Sequence, residues 1–399
     1  MVFRNLQNQT KKDPSFILLV IRLVNTKMKI ATTIILTAGA TSAFTFDEYQ
    51  VKFGKSYTTD AELSLRKQLF TQRATAVADH NARDERLYTK TLNHLSDRTK
   101  TELQQIKGLD KAMLHHQMSL RTKISTSNTA TIEDLRGFPD SLDWREKNVI
   151  TPVKNQGECG SCWTFASAET IESHMAIQTG MLQELSEQFI LDCTPNPHEC
   201  GGSGGCGGGT AELAYDRLTK LGGIPSEWEY PYVSALGNSS TCHGLPLSRE
   251  QAHSGAVSAA ANITGYWHTT TNSYADLLMA LVTKGPLAIS VDAGAWHDYS
   301  GGIFDGGNKT NPDLDHLVQL VGYGVDQGES YWLVRNSWTP YWGEKGFIRL
   351  KRYDPLKGEK ASCGTDVTPL DGNGCAGGPS TVQVCGQSGV LFDGVYPLL

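Results

Sequence analysis

All nine cysteines of this 399-residue chain lie between Cys159 and Cys385, and none occurs before that. Cross-links can therefore constrain only the later part, and the earlier part must hold itself by packing alone. The odd count leaves at least one thiol unpaired, or bonded outside the chain, if the other eight bridge. Disulfides persist where the environment is oxidising, so the pattern implies export.

The N-terminal residues agree. Met28-Lys29 is followed by an apolar run over residues 30–36 and by small residues through 41–43, the anatomy of a cleaved signal peptide. The apolar run ahead of it, residues 16–21, is too short to span a bilayer and ends at Arg22. Met28 is the expected start, and no stable membrane insertion is expected after signal cleavage. Sequons at Asn238, Asn262 and Asn308 mark candidate glycosylation sites. A formal charge of -6 and a pI near 6.0 argue against nucleic acid as a partner.

Composition divides the chain. Residues 46–110 are charged, poor in glycine and helical in pattern, and the polar stretch STSNTAT at 125–131 reads as an exposed connector. From Phe138 onward glycine rises sharply. Within the first part Glu62, Arg66 and Phe70 recur every fourth residue, followed by Arg73, Val77 and Asn81, a stripe that one amphipathic helix would carry. The segment LNHLSDRTKTEL at 92–103 reads as a loop with a Ser-Asp start to another helix.

Three places after Phe138 carry chemistry. In NQGECGSCWTFA at 155–166, Cys159 and Cys162 form a CxxC that could be a redox pair, two metal ligands, or a structural thiol beside a nucleophile. Glycines at 157 and 160 make a turn, and helical periodicity then runs to Gly180, so Cys162 is expected at a helix N-terminus. Exposed N–H groups there favour a thiolate. The second place is an alternating apolar strand with His316 at its mouth, ending in a Gly turn; the third is a strand that stops on Asn336 before Ser337 and Trp338. A thiolate, an imidazole and an amide are the parts of a cysteine acyl-transfer site.

These residues resemble the papain and cathepsin family of cysteine proteases. Cys159-Gly160-Ser161-Cys162-Trp163, preceded by Gln156 and followed by His316 and Asn336, matches the family's catalytic motif. Further blocks match in order at residues 143–157, 185–193, 205–209, 285–293 and 301–304. The stripe Glu62, Arg66, Phe70, Asn81 matches the family's inhibitory propeptide motif, with Arg73 where Asn is usual and Val77 for Ile. A companion motif survives as Asn93 and Asp97, with Thr91 and Leu95 in place of Gly and Phe.

The resemblance implies an α+β, papain-like fold of two lobes, one helical and one an antiparallel β-barrel, with the active-site cleft between and a helical propeptide ahead. It divides the chain into residues 1–43 (extension and signal peptide), 44–103 (inhibitory propeptide), 104–137 (processing linker) and 138–399 (mature peptidase). It implies a zymogen endopeptidase with Cys162 as nucleophile, ion-paired with His316, Asn336 orienting the imidazole under Trp338, and Gln156 stabilising the oxyanion. The alternative is a non-catalytic relative that binds or regulates. Substrate would lie along Gly207, Gly208, Gly209 and Asp315. The pocket for the side chain two residues before the scissile bond would be walled by Thr210, Ala211, Ser290 and Leu314, with Asp393 at its base favouring a basic side chain beside apolar ones.

The family pattern would pair Cys159 with Cys206 and Cys193 with Cys242; Cys200, Cys363, Cys375 and Cys385 remain unassigned. The family's third bridge is not expected, since Ser388 stands where one partner would be. Residues 354–389 form a Gly- and Cys-rich insertion without a clear counterpart. No paired-histidine loop marks a carboxydipeptidase. The resemblance calls for no metal and no organic cofactor. Its expected partners are polypeptide substrates and the chain's own propeptide, in a monomer delivered to a lysosome, a digestive vacuole or the exterior.

Overall fold

The computed structural model describes residues 45–108, 130–243 and 258–399. The signal-peptide reading and the 109–129 part of the linker lie outside the described residues. No described helix is long and apolar enough to cross a membrane.

The segment expected to be the propeptide comprises α1 (Phe46–Phe53), α2 (Asp60–Asn81), β1 (Tyr88–Lys90) and α3 (Lys100–Gln105). Thr45 and Glu48 close a capping box on α1, satisfying backbone donors that the first turn leaves open. Phe70 of α2 packs on Phe46 and Tyr49, with ring centroids 5.4 and 4.8 Å apart, so the apolar member of the stripe centres this small core. Arg66 reaches Glu62 at 3.5 Å and Glu102 at 2.6 Å, tying α2 to α3. Asn81 exchanges two hydrogen bonds with the Lys90 backbone, of 2.8 and 2.9 Å, which fixes β1. The expected Ser-Asp helix start is corrected: the N-cap of α3 is Thr99, in a capping box with Glu102. Asp97 is engaged elsewhere, accepting hydrogen bonds from Tyr49, Tyr57 and Lys55.

The helical lobe is built on α4 (Cys162–Thr179), α5 (Glu187–Cys193) and α6 (Ala211–Leu221). Every residue of α4 from Cys162 to Ala176 is buried, as befits a helix covered on all sides, and Gly180 at φ 75° ends it. The other lobe carries α7 (Tyr274–Thr283) and a sheet of β1, β2 (Leu142–Asp143), β3 (Gly265–His268), β4 (Leu287–Val291), β5 (Tyr299–Phe304), β6 (His316–Asp326), β7 (Glu329–Arg335), β8 (Phe347–Lys351) and β11 (Val395–Leu398). A separate hairpin, β9 (Cys363–Asp366) with β10 (Val382–Cys385), stands beside it.

The sheet order is β1-β5-β8-β7-β6-β4-β11-β3, with β2 also on β6. The expected antiparallel barrel is corrected: among the described residues no barrel closes, and the β5–β8 pair is parallel. One edge is taken by β1 of the propeptide. The other runs away under the helical lobe, where Tyr266 of β3 meets Tyr215 of α6 at 6.0 Å between centroids. The Gly turn expected after His316 is also corrected, because β6 continues through Gly322 and Gly324 and turns at Gln327 and Gly328. Gly322 is required there by packing: a Cβ would lie 2.2 Å from the Leu142 carbonyl of β2.

Four disulfides join Cys159 to Cys206, Cys193 to Cys242, Cys200 to Cys375 and Cys363 to Cys385. Ser388 instead accepts a hydrogen bond from the Trp296 indole at 3.1 Å. Asn238, Asn262 and Asn308 are all exposed.

Candidate active site

Cys162 opens α4 and is the free cysteine among the described residues. The turn before it depends on glycine, since a Cβ on Gly160 would lie 2.4 Å from the Cys206 carbonyl. The backbone N–H of Leu317 donates to the Cys162 sulfur at 3.5 Å, so the first residues of β6 press against the start of α4.

His316 is fully buried. Its Nε2 lies 2.8 Å from Asn336 Oδ1, which also accepts the Ser337 N–H at 2.8 Å. An oxygen in that role makes the imidazole the donor through Nε2, and the remaining nitrogen, Nδ1, has no hydrogen-bond partner. The ring is enclosed by Trp338, tilted at 4.8 Å, and by the edge of Trp296 at 6.3 Å. Trp338 is backed in turn by His297, stacked at 5.3 Å, so the His316–Asn336 bond is shut away from water.

Gln156 is held from two sides. Its Oε1 accepts from the Ser337 hydroxyl at 2.7 Å, and its backbone N–H donates to the Ser337 carbonyl at 3.0 Å. The amide nitrogen is thereby turned toward the cleft, where it donates to the Cys159 carbonyl at 2.8 Å and the Ile106 carbonyl at 2.6 Å.

Of the expected substrate contacts, Gly208, Gly209, Leu314 and Asp315 line one cavity with Cys162 and Leu317. Gly207, Thr210, Ala211, Ser290 and Asp393 do not line it; Thr210 instead caps α6. Asp393 is buried, and its two oxygens accept the Ser290 N–H and hydroxyl, each at 2.7 Å. It belongs to a group with Glu212 and His268, where burial opposes charge on the imidazole but the Glu212 carboxylate lifts its pKa to about 9.

A model of the papain family cysteine protease matches residues 138–370, and one of the cathepsin propeptide inhibitor domain (I29) matches residues 46–103. Fruit bromelain of Ananas comosus is 34% identical over 329 residues, covering 82% of this chain and 84% of its own. A cathepsin L-like proteinase of Phaedon cochleariae is 32% identical over 340 residues, covering 84% and 95%. The solved digestive procathepsin L2 of the Tenebrio molitor larval midgut superimposes with a TM-score of 0.68 at 29% identity, covering 89% of this chain and 98% of that one. The chain belongs to the papain family of cysteine proteases. It is a zymogen, carrying the inhibitory propeptide of the family's precursors.

In this papain-family zymogen the propeptide runs through the cleft. The Ile106 carbonyl takes the Gln156 amide, while the next carbonyl, that of Lys107, lies 3.6 Å from the Cys162 sulfur and accepts the thiol proton. Gly108 packs between Gly160 and Gly208, where a Cβ would lie 3.2 Å from the Gly160 carbonyl. The Lys107 side chain turns to Asp315 in a buried ion pair beside Ala293. None of Ile106, Lys107 and Gly108 stood out in the sequence, nor did His297 or Ser337; each acts through a partner far along the chain.

Covering the cleft alters its electrostatics. Burial pushes the Cys162 thiol up to about 12, although the Leu317 N–H partly offsets this. Burial also drives the His316 imidazole down to about 3, against the hydrogen bond to Asn336. The thiolate–imidazolium pair expected of the resting site belongs to the open cleft; under the seated propeptide, burial disfavours the charged form of both groups.

Proposed function

We propose that Cys162, His316, Asn336 and Gln156 perform peptide hydrolysis once the propeptide leaves. The observation that carries this reading is that Gln156 already donates to a peptide carbonyl at 2.6 Å. With water readmitted, the Cys162 thiol passes its proton to His316 Nδ1, the nitrogen left free when Nε2 is bound by Asn336. The thiolate attacks the substrate carbonyl carbon, and the oxyanion is met by the Gln156 amide and the Cys162 N–H. Each such donor is worth about 3 to 4 kcal/mol in comparable sites. The tetrahedral intermediate collapses, the C–N bond breaks, and His316 returns the proton to the departing amine. Water, deprotonated by His316, then releases the acyl group and regenerates the thiol.

The propeptide survives because two different carbonyls occupy the two positions. Ile106 offers its oxygen to Gln156, while the carbonyl beside the sulfur belongs to Lys107. Substrate uses Gly207, Gly208 and Gly209 for its backbone. Thr210, Ala211, Ser290 and Leu314 wall the pocket for the residue two before the scissile bond. Asp393, already paired with Ser290 and faced by the charged His268, leaves that pocket favouring apolar side chains over the basic preference expected from sequence. Asp315, which holds Lys107, favours a basic side chain on the leaving-group side.

The division at 44–103, 104–137 and 138–399 is retained in this reading. The chain acts as a monomer in the secretory pathway, in a lysosome-like or digestive compartment or outside the cell. Four disulfides support an oxidising route. The test is to incubate the full chain at acid pH with a thiol and a cysteine alkylator, then map label and new N-terminus by mass spectrometry. Label on Cys162 in a chain starting near Phe138 is expected. A folded sample that neither processes nor labels Cys162 would overturn the assignment.

A further inference from the structure

The family's peptidase match ends at residue 370, inside the Gly- and Cys-rich segment 354–389, and the rest of that segment lies beyond it. Its base is rooted in the sheet lobe. Cys363 and Cys385 pair across β9 and β10 and are disulfide-bonded, Thr365 N–H donates to the Thr310 carbonyl at 3.0 Å, and Cys385 N–H donates to Asn272 Oδ1 at 2.9 Å.

Its tip is rooted in the other lobe. Cys375 is disulfide-bonded to Cys200 of the Gly-rich loop; the Gly201 N–H donates to the Gly374 carbonyl at 3.0 Å, and the Ala376 N–H to the His198 carbonyl at 2.9 Å. Between the two anchorages the chain passes directly over Leu314: a Cβ on Gly372 would lie 2.5 Å from the Leu314 carbonyl. Gly372 and Asn373 line the cavity that also holds Cys162, Gly208, Gly209 and Leu314. The segment is therefore a strap that starts on one lobe, crosses the cleft and is covalently fastened to the other.

We propose that this strap, residues 367–376, closes the acyl side of the cleft after about two substrate residues. The inference deepens the function proposed above and rests on it, since Leu314 is there the wall of the pocket for the second residue before the scissile bond. Gly372 crosses at that wall, so a third residue meets the strap. An open groove accepts a chain laid in sideways. A groove under a disulfide-fastened loop accepts only a chain that ends before the loop or threads beneath it, and threading excludes folded segments and bulky attachments. The substrate class is short peptides and flexible N-terminal ends, and internal bonds of long chains are reached only by threading.

The experiment is a length series on the processed enzyme, using fluorogenic peptides with one to six residues on the acyl side and the same two residues next to the scissile bond. The expected result is a kcat/KM that peaks at two residues and falls at least tenfold by four. In the Cys200→Ser/Cys375→Ser double variant, which unfastens the tip, that penalty should shrink below threefold. A kcat/KM that stays level or rises from two to six residues in the parent enzyme overturns the proposal, and so does an unfastened variant with the parent's length dependence. Should the variant fail to fold, the parent series alone decides. Failure of the underlying function looks different: no peptide of any length is cut and Cys162 takes no alkylator.

Discussion

Ser337 is the side chain that aims the Gln156 amide. A primary amide rotated by half a turn presents its oxygen where its nitrogen was, and an oxygen facing the oxyanion would repel it. The Ser337 hydroxyl, 2.7 Å from Gln156 Oε1, removes that ambiguity. Ser337→Ala deletes one buried hydrogen bond, worth about 1 kcal/mol, and frees the flip. Turnover by the processed enzyme should fall about fivefold to tenfold in kcat with KM nearly unchanged, because the lost interaction matters most in the transition state. A change confined to KM would assign Ser337 to substrate binding instead. The same scale explains what sequence could disclose. Cys162 with its neighbours, and His316 with its strand, are contiguous motifs whose chemistry is legible locally. Ser337, His297 and Lys107 are common residue types that acquire meaning only from Gln156, Trp338 and Asp315, each brought up from elsewhere in the chain.

Among the elements, the propeptide helices hold the acid response. Asp97 is buried, which alone would raise its pKa, but hydrogen bonds from Tyr57 and Tyr49 and the Lys55 charge bring it below the usual carboxylate range. Burial likewise opposes ionisation of Glu102, yet Arg66 and Thr99 lower it from 4.5 to about 2. A carboxylate depressed in the folded state contributes stability that is complete above its unfolded pKa and is lost as pH falls through the folded one. The propeptide should therefore loosen between about pH 4.5 and 2. The carboxylates around Lys107 shift in the other sense: burial raises Asp315, Asp292 to about 6 and Asp313 to about 7. In a Cys162→Ala zymogen, which cannot cut itself, hydrogen exchange of α1 to α3 should rise across that acid window. Adding Glu102→Gln should flatten the rise, and an unchanged profile would place the trigger elsewhere. Asp97→Asn removes the charge facing the half-buried Lys55 ammonium and weakens the hydrogen bonds from Tyr49 and Tyr57, and should cost the propeptide about 2 kcal/mol even at neutral pH. The helix stripe from Glu62 to Asn81 was readable because its contacts recur along one face. The start of α3 differs from the Ser-Asp expectation because Asp97 is claimed by Tyr49, Tyr57 and Lys55, which leaves Thr99 to cap the helix.

At the scale of the whole molecule, each lobe keeps an apolar cluster of its own, but the end of the propeptide shares that of the sheet lobe. Leu95, Leu103 and Ile106 of the propeptide sit in one apolar cluster with Trp296, Trp338 and Val318 of the peptidase, and β1 covers the open edge of β5. Sheet closure was the feature that sequence could not decide, because it depends on which strands meet across long separations. Here the edge that a closed barrel would remove is instead capped by β1. The four cysteines outside the family pattern were undecided for a related reason, since four thiols admit three pairings and spacing does not choose among them. The shared core has a consequence for folding. A chain beginning at Phe138 must assemble the pocket around Trp296 and Trp338 with part of its packing missing and an edge strand bare, a state prone to association. Refolded under oxidising conditions, the full chain should give several-fold more soluble, alkylator-reactive protein than the chain beginning at Phe138. A peptide of residues 44–108 added in trans should restore part of the yield. Equal recovery from both chains would show that the peptidase finds its fold unaided, and that the propeptide contacts serve inhibition alone.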